Sequence, residues 1–261
     1  MKTVAILYLC MGKYRVFWKD FYLSSERYFL PECEKFYYVF TDAPSVFREE
    51  NSHIRRIPQE DLGWPDNTLL RFHLFDSQRE ALRQYDCLFF LNANCLFVDE
   101  IPARDFLPEK EELLLVEHPI FYDKPPDAFS YERDPASRAC IPLGEGRHYV
   151  SGGVNGGKAE AYLTMAAELK VRIDQDKANG IVALWHDESH LNRYAYEHGN
   201  YRLLSPGYFY PEGWDGPFPP RILAREKTIY FNVDKLKGHR VDPKHKLKHL
   251  LRRLTGRMIR F

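Results

Sequence analysis

An indole, two imidazoles and two carboxylates occur within six consecutive positions of this chain, at Trp185, His186, Asp187, Glu188 and His190. Apolar residues then recur at the spacing of one helix face until Gly199, so we expect a helix here with Asp187 as its N-cap. The N–H groups of a first helical turn hold carboxylates in place, although such acids often only complement the helix dipole. The neighbouring indole and imidazoles favour a catalytic site.

Two other segments have residue types that suit ligand binding. Residues 151–157 contain four glycines in seven positions, which lets a backbone approach a ligand closely or turn with positive φ. They do not form a GxGxxG fingerprint, and the Lys-Ser or Lys-Thr of a P-loop does not follow. Asn92-Ala93-Asn94 follows an apolar run, where its amides can contact a ligand or only cap a strand end.

Short apolar runs alternate with amphipathic segments over the first 120 residues. The runs predict strands at residues 3–10, 36–41, 53–58, 87–91 and 113–116. Helices are expected from about residue 15 to 30, at 68–84 and at 159–171, and further strands at 203–206 and 228–233. This order predicts an α/β fold with a doubly wound, mostly parallel sheet, whose ligands bind at the carboxyl ends of the strands. Residues expected at those ends are Gly12, Tyr14, Asp42, Asn92 and Asn94.

The 261 residues carry no formal net charge, and five cysteines form no CxxC pair. We therefore expect one α/β domain in a reducing compartment and no nucleic-acid partner. The apolar N-terminal run is too short for a signal sequence, and no stretch approaches twenty apolar residues. These features predict a soluble cytoplasmic protein.

The segment 237–261 contains nine Lys or Arg residues and one acid, Asp242. Leucines and a methionine recur within it at helical spacing. A basic amphipathic helix of this kind can lie on an anionic membrane surface, here the inner surface of the cell membrane. A terminal helix docked on the core and a frayed tail are the alternatives.

Taken together, these segments resemble glycosyltransferase family 6. This family comprises the retaining α-1,3-galactosyl- and N-acetylgalactosaminyltransferases that include the histo-blood-group A and B enzymes. The resemblance covers about residues 8 to 240. It is most specific at Trp-His-Asp-Glu-Ser-His-Leu-Asn (185–192) and Phe-Ser-Tyr-Glu-Arg-Asp-Pro (129–135), and residues 36–42 and 176–181 add to it.

The resemblance implies a single domain of the GT-A type, with a Rossmann-like, mostly parallel central sheet flanked by helices. This domain would cover residues 1–240. Its nucleotide-binding part would span about 1–120 and its acceptor and catalytic part about 121–240, followed by a basic amphipathic tail at 241–261.

The chain departs from the animal members of the family at one motif. Those enzymes have Asp-x-Asp, which holds manganese against UDP, where this chain has Asn92-Ala93-Asn94. Neutral amides bind a hard dication weakly. The sequence therefore predicts catalysis without a metal or other cofactor, as in bacterial members. Fixed cations would then stabilise the leaving diphosphate, and by resemblance these are Arg71, Lys235 and Arg240.

The resemblance also assigns roles to individual residues. Glu188 becomes the catalytic carboxylate, acting as a nucleophile or as an electrostatic support for an oxocarbenium-like transition state. Asp187 would bind sugar hydroxyls, and Met11 and Tyr14 would contact uridine. The acceptor would meet His118, Ser130, Trp185, Tyr208 and Asp215.

The triplet Ser151-Gly152-Gly153 matches the donor-selecting positions of the family. Small residues there leave room for an N-acetyl group, which favours UDP-GalNAc over UDP-Gal as donor. The acceptor is expected to be an oligosaccharide or glycolipid ending in a β-galactoside fucosylated at O2.

Two other functions stay open at this point. The chain could be a catalytically silent glycan- or nucleotide-binding protein of the same fold, or a protein that acts at a membrane surface through its tail. The joint presence of Arg71, Asp187 and Glu188 argues against a silent protein, because packing alone requires none of them.

Overall fold

The computed structural model describes residues 1–236, without the side chains of Asp234 and Lys235. Its strands are β1 (Thr3–Leu9), β2 (Glu34–Thr41), β3 (Ile54–Pro58), β4 (Cys87–Leu91), β5 (Cys95–Phe97), β6 (Leu113–Glu117), β7 (Val150–Lys158), β8 (Tyr201–Leu204), β9 (Tyr210–Pro211) and β10 (Ile222–Ala224). Its α-helices are α1 (Trp18–Tyr28), α2 (Asp66–Leu69), α3 (Arg71–Ser77), α4 (Arg79–Leu82), α5 (Ala103–Phe106), α6 (Ala159–Ala178), α7 (Asp187–His198) and α8 (Val233–Leu236).

Seven strands form the central sheet, in the order β3-β2-β1-β4-β7-β6-β8. Parallel pairing joins β3, β2, β1 and β4, and it also joins β6 to β8. Strand β7 runs antiparallel to both of its neighbours, β4 and β6. The expected mostly parallel α/β sheet is therefore confirmed. A second sheet, β5-β10-β9, lies beyond the end of β4.

The central sheet separates two hydrophobic cores. One core packs α1 and aromatic residues such as Phe21, Phe29 and Phe97 against one face. The other packs α3, α6 and α7 against the opposite face, with Phe75 and Tyr162 at its centre. All side chains of β4 are buried, as its apolar sequence predicts for a central strand.

The glycine-rich segment is a buried strand of the sheet. Strand β7 must fit between β4 and β6, and a Cβ added at Gly156 would lie 2.1 Å from the Phe89 ring and 2.4 Å from the Leu88 carbonyl oxygen. Glycine is needed here for close packing. The approach to a ligand that we expected of this run is restricted to its first residues, Ser151–Gly153.

Several predicted elements differ from the structure. The expected helix 68–84 is divided at Leu70 and Gln78, where ψ is 14° and 11°, into α2, α3 and α4. The helix expected at 159–171 extends to Ala178, and Asp176 in this extension faces inward and accepts bonds from Ser137 Oγ and Arg138 N.

The strand expected at 228–233 is wrong. These residues form a 3-10 turn at Lys227–Ile229, followed by the start of α8, because Thr228 N–H bonds the side chain of Glu226 instead of a neighbouring strand. The sequence patterns also missed β5 and α5, whose three and four residues are too short to show a periodicity. Among the described residues, no helix has the length and apolar character needed to cross a membrane.

Candidate active site

A cleft of about 970 Å³ lies at the carboxyl ends of β1 and β4. Because β7 is antiparallel, its first residues reach the same edge, and α7 begins beside them. Most of the residues predicted from the sequence line this single cleft: Met11, Tyr14, Arg71, Asn92, Ala93, Asn94, His118, Ser151, Gly152, Gly153, Trp185, Asp187 and Glu188.

Both carboxylate oxygens of Glu188 accept hydrogen bonds, one from β7 and one from the residue that precedes it. Oε1 accepts a hydrogen bond from the Tyr149 hydroxyl at 2.9 Å, and Oε2 accepts one from the Gly152 amide at 2.7 Å. The side chain is partly exposed to the cleft. Burial raises the pKa of Glu188, and the two hydrogen bonds and nearby Arg71 oppose that rise. The carboxylate therefore has a fixed orientation towards any ligand in the cleft.

Asp187 and Arg71 form an ion pair beside Glu188. Arg71 Nε lies 2.8 Å from Asp187 Oδ2, and both side chains are almost fully buried. The arginine also donates to the Gly152 carbonyl at 2.9 Å and covers the Phe90 ring at 4.3 Å. Burial raises the pKa of Asp187, and the charge of Arg71 opposes this rise. The pair joins α3, β7 and α7 at the floor of the cleft.

Helix α7 begins one residue earlier than a cap at Asp187 requires. His186 occupies the N-cap with φ of 55° and ψ of −126°, and Asp187 is the first helical residue. The N-cap prediction is wrong because the Asp187 side chain turns into the cleft towards Arg71. Within the described residues the N-cap side chain makes no capping hydrogen bond; Ser189 Oγ instead accepts a bond from the Trp185 amide at 2.9 Å, which ties the preceding turn to the first turn of α7.

Asn192 fastens α7 to the sheet. Its side chain bonds both the N–H and the C=O of Val150, at 2.8 and 2.9 Å, and its amide also donates to the Glu188 carbonyl oxygen at 2.9 Å. This residue is the last of the octapeptide on which the resemblance depends. Asn192 therefore has a structural role in the motif, because its hydrogen bonds fix the position of Glu188 relative to the sheet.

Asn92 and Asn94 lie in a tight turn between β4 and β5. The Asn92 amide N–H donates to the Gly153 carbonyl oxygen at 2.8 Å, which ties the turn to β7. The Asn94 side-chain nitrogen donates to the backbone carbonyl oxygen of Arg225 at 2.7 Å. The backbone N–H of Arg225 donates in turn to the backbone carbonyl oxygen of Asn94 at 2.9 Å. Since a carbonyl only accepts, the atom facing Arg225 must be the amide nitrogen.

The spaces beside Gly152 and Gly153 are occupied by protein. A Cβ at Gly152 would lie 3.2 Å from Glu188 Cβ, and one at Gly153 would lie 2.2 Å from the ring of Phe209. The structure therefore corrects the steric argument made from the sequence. These glycines make room for Glu188 and Phe209, and only the remaining cleft is open to a sugar.

The opposite end of the cleft is lined by Met11 and Tyr14, which follow β1. The Tyr14 ring packs on Phe231 with centroids 5.0 Å apart, and Lys227 Nζ lies 5.5 Å from the Tyr14 centroid. Lys227 also lines the cleft. The sequence patterns missed it, since its segment was expected to begin a strand.

A loop across the cleft mouth was also missed. Asp61 Oδ1 accepts bonds from Gly63 N and from Asn67 Nδ2, at 3.0 and 2.6 Å, which makes the loop a compact turn. It places the half-exposed Trp64 edge-on to His186, with ring centroids 4.6 Å apart. The turn-forming residues Gly63, Trp64, Pro65, Asp66 and Asn67 were the available signal.

The residues predicted to contact the acceptor divide into two groups. His118 and Trp185 line the cleft, and burial lowers the pKa of His118 to about 4, so its imidazole is neutral near pH 7. Ser130, Tyr208 and Asp215 are not among the lining residues. Tyr208 packs towards Phe106 instead, and Asp215 is exposed in a turn. Arg240 and the side chain of Lys235 lie outside the described part of the chain.

An α/β sheet with a carboxylate and polar loops at its carboxyl edge is compatible with a nucleotide-sugar-dependent transferase. The family model of glycosyltransferase family 6 matches residues 1–228. The chain therefore belongs to this family, and the resemblance and the GT-A fold expected from it are confirmed.

Bacterial and animal proteins of similar sequence support this assignment to the family. The chain is 33% identical to the O-antigen biosynthesis glycosyltransferase WbnI of Escherichia coli, over 89% of this chain and 100% of that protein. It is 32% identical to globoside alpha-1,3-N-acetylgalactosaminyltransferase 1 of Homo sapiens, over 90% and 69% of the two chains. It is 31% identical to histo-blood group ABO system transferase 1 of Rattus norvegicus, over 87% and 66%.

Proposed function

We propose that this protein is a retaining α-1,3-glycosyltransferase that moves GalNAc from UDP-GalNAc to a β-galactoside, with UDP-Gal the less favoured donor. The observation that carries the proposal is the position of Glu188 in the cleft, with both oxygens held by Tyr149 and Gly152. An oriented carboxylate of this kind suits chemistry at an anomeric carbon.

In the proposed reaction, the bond between C1 of the sugar and the β-phosphate oxygen breaks, and UDP leaves with the electron pair. A bond from the acceptor O3 to C1 forms on the same face, and the proton of the acceptor hydroxyl passes to the departing diphosphate oxygen. Glu188 supports the positive charge at C1, either by a covalent bond that the acceptor later displaces or by electrostatic attraction alone. Asp187 would accept hydrogen bonds from sugar hydroxyls, and its pairing with Arg71 keeps its carboxylate in place.

We propose that this reaction needs no metal ion or other cofactor. Asn92 and Asn94 bring no negative charge to the turn, and the Asn94 amide nitrogen already donates to the Arg225 carbonyl. Positive charge for the diphosphate has to come from side chains. Besides Arg71, which is paired with Asp187, Lys13 and Lys227 line the cleft near Tyr14, and we propose that these lysines face the diphosphate. Lys235 and Arg240 are proposed to add to their charge.

The proposed preference for UDP-GalNAc as donor is supported by the names of related proteins more than by the space available in the cleft. The human protein described above is named as an N-acetylgalactosaminyltransferase. The neutral His118 and the exposed ring of Trp185 suit a sugar acceptor, since an aromatic ring can stack on the apolar face of a hexose. We propose that this acceptor is a 2-O-fucosylated β-galactoside on an oligosaccharide or glycolipid.

The test is transfer from UDP-GalNAc or UDP-Gal to 2-fucosylated lactose in excess EDTA, followed by mass spectrometry. We expect a GalNAc-containing product with chelator present. Absence of product with both donors, or a rate that is restored only by a divalent ion, would contradict the proposal.

Glu188→Gln is expected to reduce the transfer rate by about 10²-fold or more, because the amide can neither attack C1 nor support its charge. Donor affinity should be largely retained. Glu197→Gln, on the same helix but in a surface ion pair with Arg193, is the matched control and should keep its activity. If Glu188→Gln instead leaves a full transfer rate, the assignment of the catalytic acid is wrong.

A further inference from the structure

Four aromatic residues of the long segment between β6 and β7, Phe121, Phe129, Tyr131 and Tyr149, form a separate hydrophobic cluster together with Ile141. The Tyr149 ring lies 4.4 Å from the Phe121 ring and stacks on Tyr131 with an interplanar angle of 23°. We call this group the aromatic cluster. It is not part of the main cores, and Tyr149 is its only described member that contacts the catalytic acid.

The hydroxyl of Tyr149 has one proton and two neighbouring acceptors. Glu188 Oε1 lies at 2.9 Å and the Ser130 carbonyl oxygen at 3.4 Å. The shorter and charge-assisted contact is the stronger one, so the proton is directed to the carboxylate. Tyr149 is only 1% exposed, and its ring cannot move away while the aromatic cluster stays packed.

The same ring also borders the acceptor side of the cleft. His118, which lines the cleft at the end of β6, meets Tyr149 edge-on with ring centroids 5.5 Å apart. The His118 amide N–H also donates to the Tyr149 carbonyl at 2.8 Å. A ligand that displaces His118 would therefore press on the residue that holds Glu188.

We propose that Tyr149 is a positioning residue for Glu188, and that it links the acceptor side of the cleft to the orientation of the catalytic carboxylate. This inference rests on the proposed transferase function. With the Gly152 amide on the other oxygen, the Tyr149 hydroxyl prevents rotation of the carboxylate about its last bond. The carboxylate is then aligned before the sugar arrives, which lowers the cost of reaching the transition state.

Besides Tyr131, which stacks on Tyr149, three further charged or titratable groups surround this pair. Arg71 faces Glu188 from α3, Asp187 neighbours it on α7, and His118 packs on Tyr149 from the end of β6. His118 is neutral at the pH of interest, and the other two are retained when only the Tyr149 hydroxyl is removed. Removing a donor from an ionised carboxylate destabilises the charged form, so its pKa must rise.

The experiment compares Tyr149→Phe with Tyr131→Phe. The two rings stack in the same cluster, and the Tyr131 hydroxyl makes a hydrogen bond of 2.7 Å to the His148 carbonyl without contacting Glu188. We expect Tyr149→Phe to lower kcat by about 10- to 100-fold, with little change in donor KM, because a hydrogen bond to a charged group is lost. We also expect the acid limb of its pH–rate profile to move to higher pH.

Tyr131→Phe should keep both kcat and the wild-type pH profile. Phenylalanine retains the ring contacts, and thermal unfolding of both variants checks that each is folded. Equal losses in the two variants with an unshifted pH profile would mean a structural role and overturn the inference, as would full activity of Tyr149→Phe. If wild-type protein transfers no sugar, the proposed function has failed, which is a separate outcome from a transferase insensitive to Tyr149→Phe.

Discussion

Asn94 has a side-chain NH2 group where an aspartate has an oxygen, and the fold uses that group as a hydrogen-bond donor. Asn94→Asp would place a carboxylate where the side-chain nitrogen now lies 2.7 Å from the Arg225 carbonyl oxygen. Two acceptors would then face each other in a buried turn, since Asn94 is 4% exposed.

We expect Asn94→Asp to lower the free energy of unfolding by about 1–3 kcal/mol, measured by urea denaturation. Asn92→Asp, in the same turn but more exposed, is the control and should cost less. Equal stability of Asn94→Asp and wild type would contradict this hydrogen-bond assignment.

The buried Arg71–Asp187 pair makes stability depend on pH in a defined direction. The pKa of Asp187 is raised in the folded protein, so folding favours its neutral form and its contribution to stability falls as pH rises above the ordinary carboxyl range. Arg71 reduces this loss by pairing with the ionised form. Without Arg71, the pKa of Asp187 should rise further.

Arg71→Met should therefore cost more at pH 8 than at pH 5, with a loss of about 3 kcal/mol or more at pH 8, where Asp187 would be buried without its partner. Urea denaturation at both pH values measures the difference. Arg83→Met, which breaks an exposed pair with Glu80, is the control and should cost little at either pH. A loss of the same size at both pH values would show that only packing was removed.

At this scale the sequence was informative about residue types but not about their partners. The concentration of Asp187 and Glu188 beside an indole and two imidazoles predicted the acidic floor of the cleft. It could not predict that Asp187 turns from the helix cap to Arg71, because the two residues are far apart in the chain. Tyr149 showed no local signal, since its role depends on the antiparallel placement of β7.

Among the elements, β7 constrains the site most. It lies between β4 and β6 and carries Gly152 against Glu188. Its later glycines allow the three strands to approach. The pattern of glycines suggested a loop near a ligand, and a strand of this kind lacks the branched and aromatic residues by which strands are recognised.

Gly156→Ala should therefore be severely destabilising, because the new Cβ would meet the Phe89 ring at 2.1 Å and the Leu88 carbonyl at 2.4 Å. We expect a loss of about 3 kcal/mol, in the upper range for overpacking. Gly213→Ala is the control: its position has a φ of 81° but no atom within 4 Å, so only the backbone term of about 1 kcal/mol applies. Thermal unfolding compares the two, and equal losses would contradict the packing argument.

For the molecule as a whole, the alternation of strands and helices was enough to predict the sheet and the edge at which ligands bind. Residues from β1 to α7 meet there because the carboxyl ends of parallel strands share one edge. Topology beyond β4 could not be predicted, since β7 joins the sheet antiparallel after a long irregular segment. For the same reason Phe209, which lines the cleft, had no assignment, and Trp64 had none because it lies in a loop without hydrophobic periodicity.

The basic tail, residues 241–261, lies outside the described part of the chain, so its role is tested on the whole protein. We expect a protein lacking them to transfer sugar to a soluble acceptor at the wild-type rate and to lose binding to vesicles that contain anionic lipid. Vesicles of neutral lipid are the control. Loss of transfer to soluble acceptors would show that the tail belongs to the catalytic domain, and unchanged vesicle binding would exclude the membrane role.

The tight fit of β7 also bears on how such a protein can acquire new substrates. Substitutions of the β7 glycines disturb either the position of Glu188 or the fold, so little variation can be tolerated there. The surface turn that carries Trp64 and the exposed Trp185 face fewer such constraints. Divergence in substrate choice should therefore accumulate in the rim of the cleft, while the floor stays unchanged.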